Sequence, residues 1–181
     1  MKLNLQPTLE NELVRLRPLA ESDAEPLYEA AQDPLVWEQH LSNRYQRAVF
    51  DDFFREAIDS RGALVVLDKA TEQVIGSSRF NRMERVDSAI EIGWSFLARA
   101  YWGGAYNRAV KQLMIEHAFL SVEDVLFHID LQNIRSQRAV EKLGGTRITD
   151  PQYAHLTKED PTYCTYRINK QDWKTGIRSK Q

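Results

Sequence analysis

The sequence has little cysteine, no long hydrophobic run and no excess of positive charge. Its one cysteine, Cys164, cannot form a disulfide within the chain, and its four histidines have no partners at ligand spacing, so we expect no metal. No apolar stretch approaches the roughly 18 residues of a membrane span. The amino end lacks a basic segment followed by an apolar one, so we expect a cytoplasmic protein that is neither secreted nor membrane-embedded.

The balance of charges argues against nucleic acid as a partner. The chain has 24 Lys and Arg against 26 Asp and Glu, for a net charge of −2. A protein that binds nucleic acid without sequence preference needs a broad basic field. We therefore expect neither nucleic acid nor a membrane as a partner.

The 181 residues, 43% of them hydrophobic, are enough for one sizeable core but few for two. We expect one domain over residues 1–173 and a polar, frayed tail over 174–181. The hydrophobic periodicity predicts a strand, two helices, three strands, a glycine turn, a helix, a strand, a helix and a last strand. This order predicts an α/β (α+β) fold with a mixed, mostly antiparallel sheet flanked by helices.

Two local patterns have direct consequences. Ser22-x-x-Glu25 has the spacing of a capping box, which predicts the start of the first helix. In the predicted strand 90–97, Ile90, Ile92, Trp94 and Phe96 alternate with small or polar residues. We expect these four side chains on one face and the lone carboxylate, Glu91, on the other.

A glycine turn joins this strand to the next helix. Trp102-Gly103-Gly104-Ala105 places unpaired backbone N–H groups at the positive end of a helix dipole, an arrangement that binds phosphate. The alternative is an ordinary tight turn. Neither the P-loop nor the dinucleotide-binding glycine pattern is present.

Two segments together carry a resemblance to a family. The stretch EIGWSFLARAYWGGAYNRAVKQLMIEHAF, followed after one strand by DLQNIRSQRAVEKLGG, resembles the GNAT N-acetyltransferases, in the branch of the ribosomal-protein N-acetyltransferases. The family turn Arg/Gln-x-x-Gly-x-Gly/Ala matches residues 100–105, except that Ala100 replaces Arg/Gln. The second family motif, Asn-x-x-Ala/Ser followed by Glu-Lys-x-Gly, matches at Asn133, Ser136, Glu141, Lys142 and Gly144.

The resemblance implies that acetyl-CoA is the cosubstrate. Its pyrophosphate would lie on the N–H groups of residues 103–107, and its pantetheine arm would pair with the backbone of 96–98 and with the Asn133 amide. The implied cofactor-binding residues are Phe96, Leu97, Ala98, Trp102, Gly103, Gly104, Ala105, Tyr106, Asn107 and Asn133. The amine would attack the thioester directly, which agrees with the lack of a nucleophile–base pair.

Two residues are candidates for proton handling. Glu91 could act as the base for the amine; the alternative is a solvated or ion-paired glutamate. Many family members use a tyrosine seven residues after the motif asparagine to assist the leaving thiolate, but here that position is Val140. Ser136 could supply the hydroxyl instead, although it could also only cap a helix. A structural role is more typical than a catalytic one for His128.

The expected activity is transfer of the acetyl group of acetyl-CoA to a primary amine. The leading acceptor is the amino terminus of a protein or peptide, since deprotonating an α-amine near neutral pH costs about one kcal/mol and a lysine several. The alternatives are a small amine (a polyamine or an antibiotic) and, from another class, a catalytically weak acyl-CoA-binding regulatory module, which Val140 favours. The resemblance also raises the expectation of a homodimer.

Overall fold

The computed structural model describes residues 2–40, 42–84 and 86–178, without the side chains of 176–178. Within that part of the chain, one eight-stranded sheet has the order β1-β2-β3-β4-β5-β6-β8-β7. The strands are β1 Leu9–Glu10, β2 Val14–Pro18, β3 Ala63–Asp68, β4 Val74–Arg82, β5 Ala89–Leu97, β6 Asp124–Asp130, β7 Thr146–Arg147 and β8 Tyr163–Asn169. The helices are α1 Ala24–Ala31, α2 Arg47–Asp59, α3 Tyr106–Ala118, α4 Ile134–Lys142 and α5 Lys170–Arg178. The predicted fold class is confirmed, and the predicted elements occur in the predicted order; the structure adds β1, β7 and α5, which the hydrophobic pattern did not predict.

Helices cover both faces of the sheet. On one, the α2 face, α1 and α2 bury Leu27, Phe50 and Phe53 against Val65 of β3. On the other, the α3 face, Val110, Met114 and Ile115 of α3 pack with Leu64, Ile90 and Val140. Each helix presents one apolar stripe to the sheet, as the 3.6-residue period of its hydrophobic positions requires.

One pair of neighbouring strands separates along its length. β5 and β6 are parallel and pair only at Ala89–Asp124, Ile90–Val125 and Glu91–Leu126. Beyond these pairs β6 continues to pair with β8 and β5 with β4, so a wedge opens between β5 and β6. Along the wedge, the β5 edge that faces β6 makes no ladder hydrogen bonds and can pair with another extended chain.

A bulge reverses the alternation of β5. Arg79 pairs with Gly93 but Ser77 pairs with Phe96, so β5 has one residue more than β4 over this stretch, and Trp94 has φ +50°. Ile90 and Ile92 therefore lie on the α3 face, whereas Trp94 and Phe96 pack on the α2 face. The prediction of one continuous apolar face from residue 90 to residue 96 is wrong.

Three predicted element ends also differ from the structure. Ser22 lies in a 3₁₀ turn, and α1 begins at Ala24 without the predicted capping box, because the Asp23 carboxylate is bound by Arg17 at 2.6 Å and by the N–H of Ala20 at 2.9 Å. The hydrophobic pattern predicts the fourth helix over residues 136–143, but α4 begins at Ile134, two residues earlier. Residues 174–178 of the predicted tail continue α5, and 179–181 lie outside the described residues. No helix in the described part of the chain is long and apolar enough to cross a bilayer.

Candidate active site

The wedge between β5 and β6 opens into two adjoining cavities. The inner cavity, about 280 Å³, extends from Glu91 and His128 to Val140. The outer cleft, about 560 Å³, extends from Phe96 to the glycine turn and α4. Both are lined by His40, Ser95, Asn107, Ser136, Ala139 and Leu143. They therefore form one continuous site at the place where the two strands separate.

The glycine turn forms one wall of the outer cleft. Gly103 has φ +72°, and a Cβ added at Gly103 or Gly104 would meet no atom within 4 Å, so the backbone there is open to the cleft. Ala105 precedes α3 and offers no side-chain cap, which leaves the first-turn N–H groups of α3 free of side-chain partners. The geometry fits an anion held by the main chain at a helix N-terminus.

Basic side chains reinforce this wall, and the sequence reading did not identify them. The described residues lining the outer cleft include four cations and no carboxylate; the cations are Arg108, Arg135, Arg138 and Lys142. Three of them lie at 135, 138 and 142, a spacing of three and four residues that places them on one face of α4. That spacing was a readable signal. The cleft therefore suits a ligand with several phosphates, such as a nucleotide.

Trp102 and Arg135 join the two sides of the cleft. Trp102 donates its indole N–H to the Leu97 carbonyl at 2.8 Å, and the Arg135 guanidinium lies 4.0 Å from the centre of its ring. The Arg135 guanidinium also donates to the Val36 carbonyl at 3.0 Å, and the backbone N–H of Arg135 donates to the side-chain oxygen of Gln39 at 3.0 Å. The turn before α3, the start of α4 and the loop after α1 thus share one set of contacts.

The structure brings most of the predicted cofactor residues to the cleft, but not all of them. Those that line the outer cleft are Phe96, Leu97, Trp102, Gly103, Gly104 and Asn107. Ala105 and Tyr106 line neither cavity, and the Tyr106 hydroxyl donates to Asp68 at 3.2 Å. A backbone contact from Ala98 is not supported, because its N–H already donates to the Ile75 carbonyl at 2.8 Å and it lines neither cavity.

Asn133 and Ser136 form the start of α4. Asn133 is the N-cap, and its Oδ1 accepts the N–H of Ser136 at 3.0 Å. The cap is therefore Asn133, and the alternative in which Ser136 caps the helix does not hold. Ser136 lines both cavities, while Asn133 and the apolar Val140 line the inner one. Ser136 is the hydroxyl at the junction of the two cavities on the α4 side.

Glu91 is a buried carboxyl group inside the cavity. Its residue is 8% exposed, and Oε2 accepts a hydrogen bond from Asn81 at 2.8 Å. None of the ion pairs among the described residues involves Glu91, so it is neither solvated nor directly ion-paired. Burial raises its pKa, opposed by the Asn81 hydrogen bond and by the charges of Lys158 and Arg79.

Lys111 of α3 was not singled out from the sequence, although it is a charged residue among buried neighbours at 110, 114 and 115. It is 5% exposed, lines the inner cavity and donates to the hydroxyls of Ser78 and Ser95. Burial alone lowers its pKa to about 7. The lysine is therefore poised to exist in both protonation states near neutral pH.

Two histidines line the inner cavity in the neutral form. Burial lowers the pKa of His128 to about 4, and its Nδ1 is 2.8 Å from the Thr165 hydroxyl. Burial, with the charges of Arg44 and Arg135, lowers the pKa of His40 to about 4 as well. Each ring contributes polar surface but no charge at neutral pH.

The chain is similar to known proteins in sequence. Residues 14–146 match the family model "Acetyltransferase (GNAT) domain". An "Uncharacterized N-acetyltransferase p20" of Bacillus licheniformis is 28% identical over 123 residues, which cover 64% of this chain and 67% of that protein.

Solved structures share the fold. A GCN5-related N-acetyltransferase from Brucella melitensis superimposes with a TM-score of 0.79 at 20% identity, over 93% of this chain and 81% of that one. Mycobacterium smegmatis RimJ, solved in complex with CoA-disulfide, has a TM-score of 0.69 at 15% identity, over 95% and 91%. With the family model covering most of its length, the chain belongs to the GNAT acetyltransferase family.

Proposed function

We propose that the protein transfers the acetyl group of acetyl-CoA to the α-amine of a protein or peptide. One observation carries the proposal: a glycine turn with uncapped backbone N–H groups and a cluster of cations lead along an open strand edge to a buried carboxyl group. The RimJ structure with CoA-disulfide supports the choice of a coenzyme A thioester, because its fold is the same. Acetyl-CoA supplies the activated acyl group, and the residues of the chain bind and orient the two substrates and transfer the protons.

The outer cleft would bind the cosubstrate. The free N–H groups after Gly103, with Arg108 and the three cations of α4, suit the phosphates. The unpaired edge of β5 beside Phe96 and the cavity-lining Asn133 suit an amide-containing arm, which pairs as an added strand would. The thioester end of that arm would then point into the inner cavity.

Glu91 would take the proton that the amine loses. Since burial raises its pKa, this carboxylate is a stronger base than an exposed glutamate. The Asn81 hydrogen bond holds Oε2 in place. Acceptor and cosubstrate would meet at the wedge, where fixed orientation provides much of the rate enhancement.

Ser136 would stabilise the departing thiolate. Its hydroxyl lies at the junction of the two cavities, and Val140, one helical turn later, cannot donate a hydrogen bond. A thiol has a pKa of about 8.5, so a hydrogen bond to the developing thiolate can suffice without full proton transfer. No covalent intermediate on the protein is needed.

Two alternatives stay open for the acceptor and for turnover. The first is a small amine such as a polyamine or an antibiotic. The second is a regulatory module that binds acyl-CoA with little turnover, favoured by the apolar Val140. The buried Glu91 in the cavity favours an enzyme over the module, because a binding protein has no use for a desolvated carboxyl group there.

The test is a screen of peptides and amines with acetyl-CoA, scored by release of free thiol. The proposal requires thiol release that depends on the acceptor and is lost in Glu91→Gln. If the protein binds acetyl-CoA in calorimetry but none of the amines leads to release of free thiol, the regulatory module is the correct function. If small amines react and peptides do not, the acceptor assignment is wrong.

A further inference from the structure

Arg79 is a buried cation whose hydrogen-bonding capacity is largely unused. It lies on β4, is 6% exposed, and its Nε and Nη2 atoms are buried without a hydrogen-bond partner. Its guanidinium lies 4.7 Å from the ring centre of Trp94 and 5.9 Å from that of Phe53. Aromatic faces attract the cation but provide no acceptor for its N–H groups. Such a group favours the arrival of an anion.

Arg44, in the segment before α2, also lies against the ring of Phe53. Its guanidinium is 4.2 Å from the centre of Phe53, and Arg44 lines the inner cavity. Burial and the nearby positive charge of Arg79 lower the pKa of Arg44 to about 10. Neither arginine takes part in an ion pair among the described residues. Two positively charged guanidinium groups thus lie against the Phe53 ring, and neither is paired with a carboxylate.

The other charges around the inner cavity do not cancel these two. Lys158 lines the cavity with its ammonium 3.6 Å from the ring centre of Tyr163, and Lys111 lines it from α3. The carboxylates in the lining are Glu91 and Asp130, and Asp130 accepts the N–H of Gln132 at 2.7 Å. Glu56 of α2 also acts on both arginines, but at a separation beyond an ion pair.

We propose that Arg44 and Arg79 form a subsite for a carboxylate carried by the acceptor close to its reacting amine. This inference rests on the proposed N-acetyltransferase activity and names its substrate class. A carboxylate in the cavity can accept two parallel hydrogen bonds from the Arg44 guanidinium, which lines it. Arg79 does not line the cavity: its guanidinium lies on the ring of Trp94, which does, so its unpaired positive charge attracts the carboxylate from behind that ring.

The carboxylate could come from two sources that share this chemistry. One is the acidic side chain of an amino-terminal Asp or Glu in a peptide; the other is the α-carboxylate of a free amino acid. A cationic polyamine fits poorly, because the subsite would repel its additional charges. The subsite therefore discriminates among the acceptors that the fold alone leaves open.

Matched acceptors test the subsite directly. Short peptides that begin with Glu or Gln differ only in the charge, as do free amino acids and their amides. We expect kcat/KM to be at least tenfold higher for the charged member of one pair, and the pair that shows this identifies the source. Equal values within both pairs overturn the inference while leaving the proposed function intact.

Variants tie the preference to the two arginines. Arg44→Gln is expected to remove most of the preference for the charged acceptor, measured as the ratio of kcat/KM for the charged and neutral members of a pair. Arg79→Gln should reduce the preference for the charged acceptor in the same way. If this variant does not fold, Arg79→Lys, which keeps the positive charge, serves in its place. The control is Arg55→Gln, an exposed arginine paired with Asp52 on the same helix as Phe53. A preference that survives in Arg44→Gln overturns the subsite.

Failure of the proposed function can be told apart from failure of the subsite. If acetyl-CoA releases thiol with none of the amines, calorimetry with unreactive probes still measures binding at the cavity. N-acetylglutamate amide against N-acetylglutamine amide tests a side-chain carboxylate, and N-acetylglycine against its amide tests an α-carboxylate. Tighter binding of the charged member of either pair, lost in Arg44→Gln, supports the subsite in a protein without turnover, and equal binding within both pairs overturns it.

Discussion

The side-chain amide of Asn81 on β4 donates to the Glu91 carboxylate on β5 across 2.8 Å. This hydrogen bond stabilises the charged form of a carboxyl group whose burial favours the neutral form. Two neighbouring strands therefore set the pH range in which Glu91 can act as a base.

Removing that hydrogen bond should narrow this range. In Asn81→Leu the pKa of Glu91 rises further, so a larger fraction is protonated at a given pH. The acidic limb of the pH–rate profile, measured with saturating acetyl-CoA, should move to higher pH. Gln112→Leu, which removes an exposed contact to Glu116 on α3, is the control. A profile that stays in place would exclude Glu91 as the base.

Ser136→Ala should lower kcat more than it weakens acetyl-CoA binding. A hydrogen bond to developing thiolate charge strengthens in the transition state, and losing one such donor costs roughly a hundred- to a thousandfold in rate. Steady-state kinetics together with calorimetry separates the two effects. Ser22→Ala, at an exposed position in a 3₁₀ turn, provides the comparison. Full kcat in Ser136→Ala would mean that water protonates the thiolate.

Gly103→Asp should abolish acetyl-CoA binding, because a carboxylate would stand where phosphates are expected. Gly103→Ala isolates the backbone contribution: a Cβ there meets no neighbouring atom, but φ +72° is strained for alanine. We expect modest weakening in the alanine variant and loss of binding in the aspartate variant. Similar affinities of these two variants in calorimetry would contradict a phosphate site at this turn.

Asn133→Ala removes a helix cap as well as a cavity amide. Losing the cap should destabilise the fold by about 1 kcal/mol, visible in thermal unfolding without ligand. Asn133→Asp retains an oxygen for the Ser136 N–H but has no amide to donate. If Asn133 contacts the pantetheine arm, the aspartate variant keeps its stability and loses affinity for acetyl-CoA; unchanged affinity would leave the cap as its only role.

Lys111 should make stability depend on pH in alkaline solution. Its folded-state pKa of about 7 is below the ordinary 10.5, so the unfolded chain binds more protons between these values. Stability should therefore rise as the pH increases from about 7 to 10.5 and stay flat below that range. Lys111→Met should be more stable than the wild type near pH 6, with the difference shrinking toward pH 10. The exposed Lys174→Met serves as the control in thermal unfolding.

The sequence predicted the element order because local periodicity determines it, and it missed what depends on contacts between strands. The bulge that separates Ile92 from Trp94 follows from an unequal residue count between β4 and β5, which one strand cannot reveal. The Ala98 N–H donates to the carbonyl of Ile75 on β4, a partner that the sequence around Ala98 does not reveal. By contrast, the glycine turn combines two adjacent residues with a helix start, and its place in the outer cleft could be predicted.

Among the charged residues of the site, some could be predicted from the sequence and others depend on contacts that only the folded chain makes. Arg135, Arg138 and Lys142 share a helix face by spacing alone and could have been found from the sequence. Lys111 interrupts the apolar stripe of α3, which marks it as unusual, whereas Arg79 follows two serines and has no such mark. The burial of both among Ser78, Ser95 and aromatic rings depends on the assembled sheet. What they could do became apparent only from the cavity between β5 and β6.

Arg135 makes the two halves of the site mechanically dependent on each other. Its guanidinium rests on Trp102 beside the glycine turn and donates a hydrogen bond to the carbonyl of Val36, which lines the outer cleft from the segment after α1. A shift of the indole ring on ligand arrival would pull on the Val36 carbonyl, and a shift of that segment would press on the indole. Thermodynamic linkage is reciprocal, so if one substrate raises the affinity for the other, the second raises the affinity for the first by the same factor. The order in which the two substrates bind is then determined by their rates of binding.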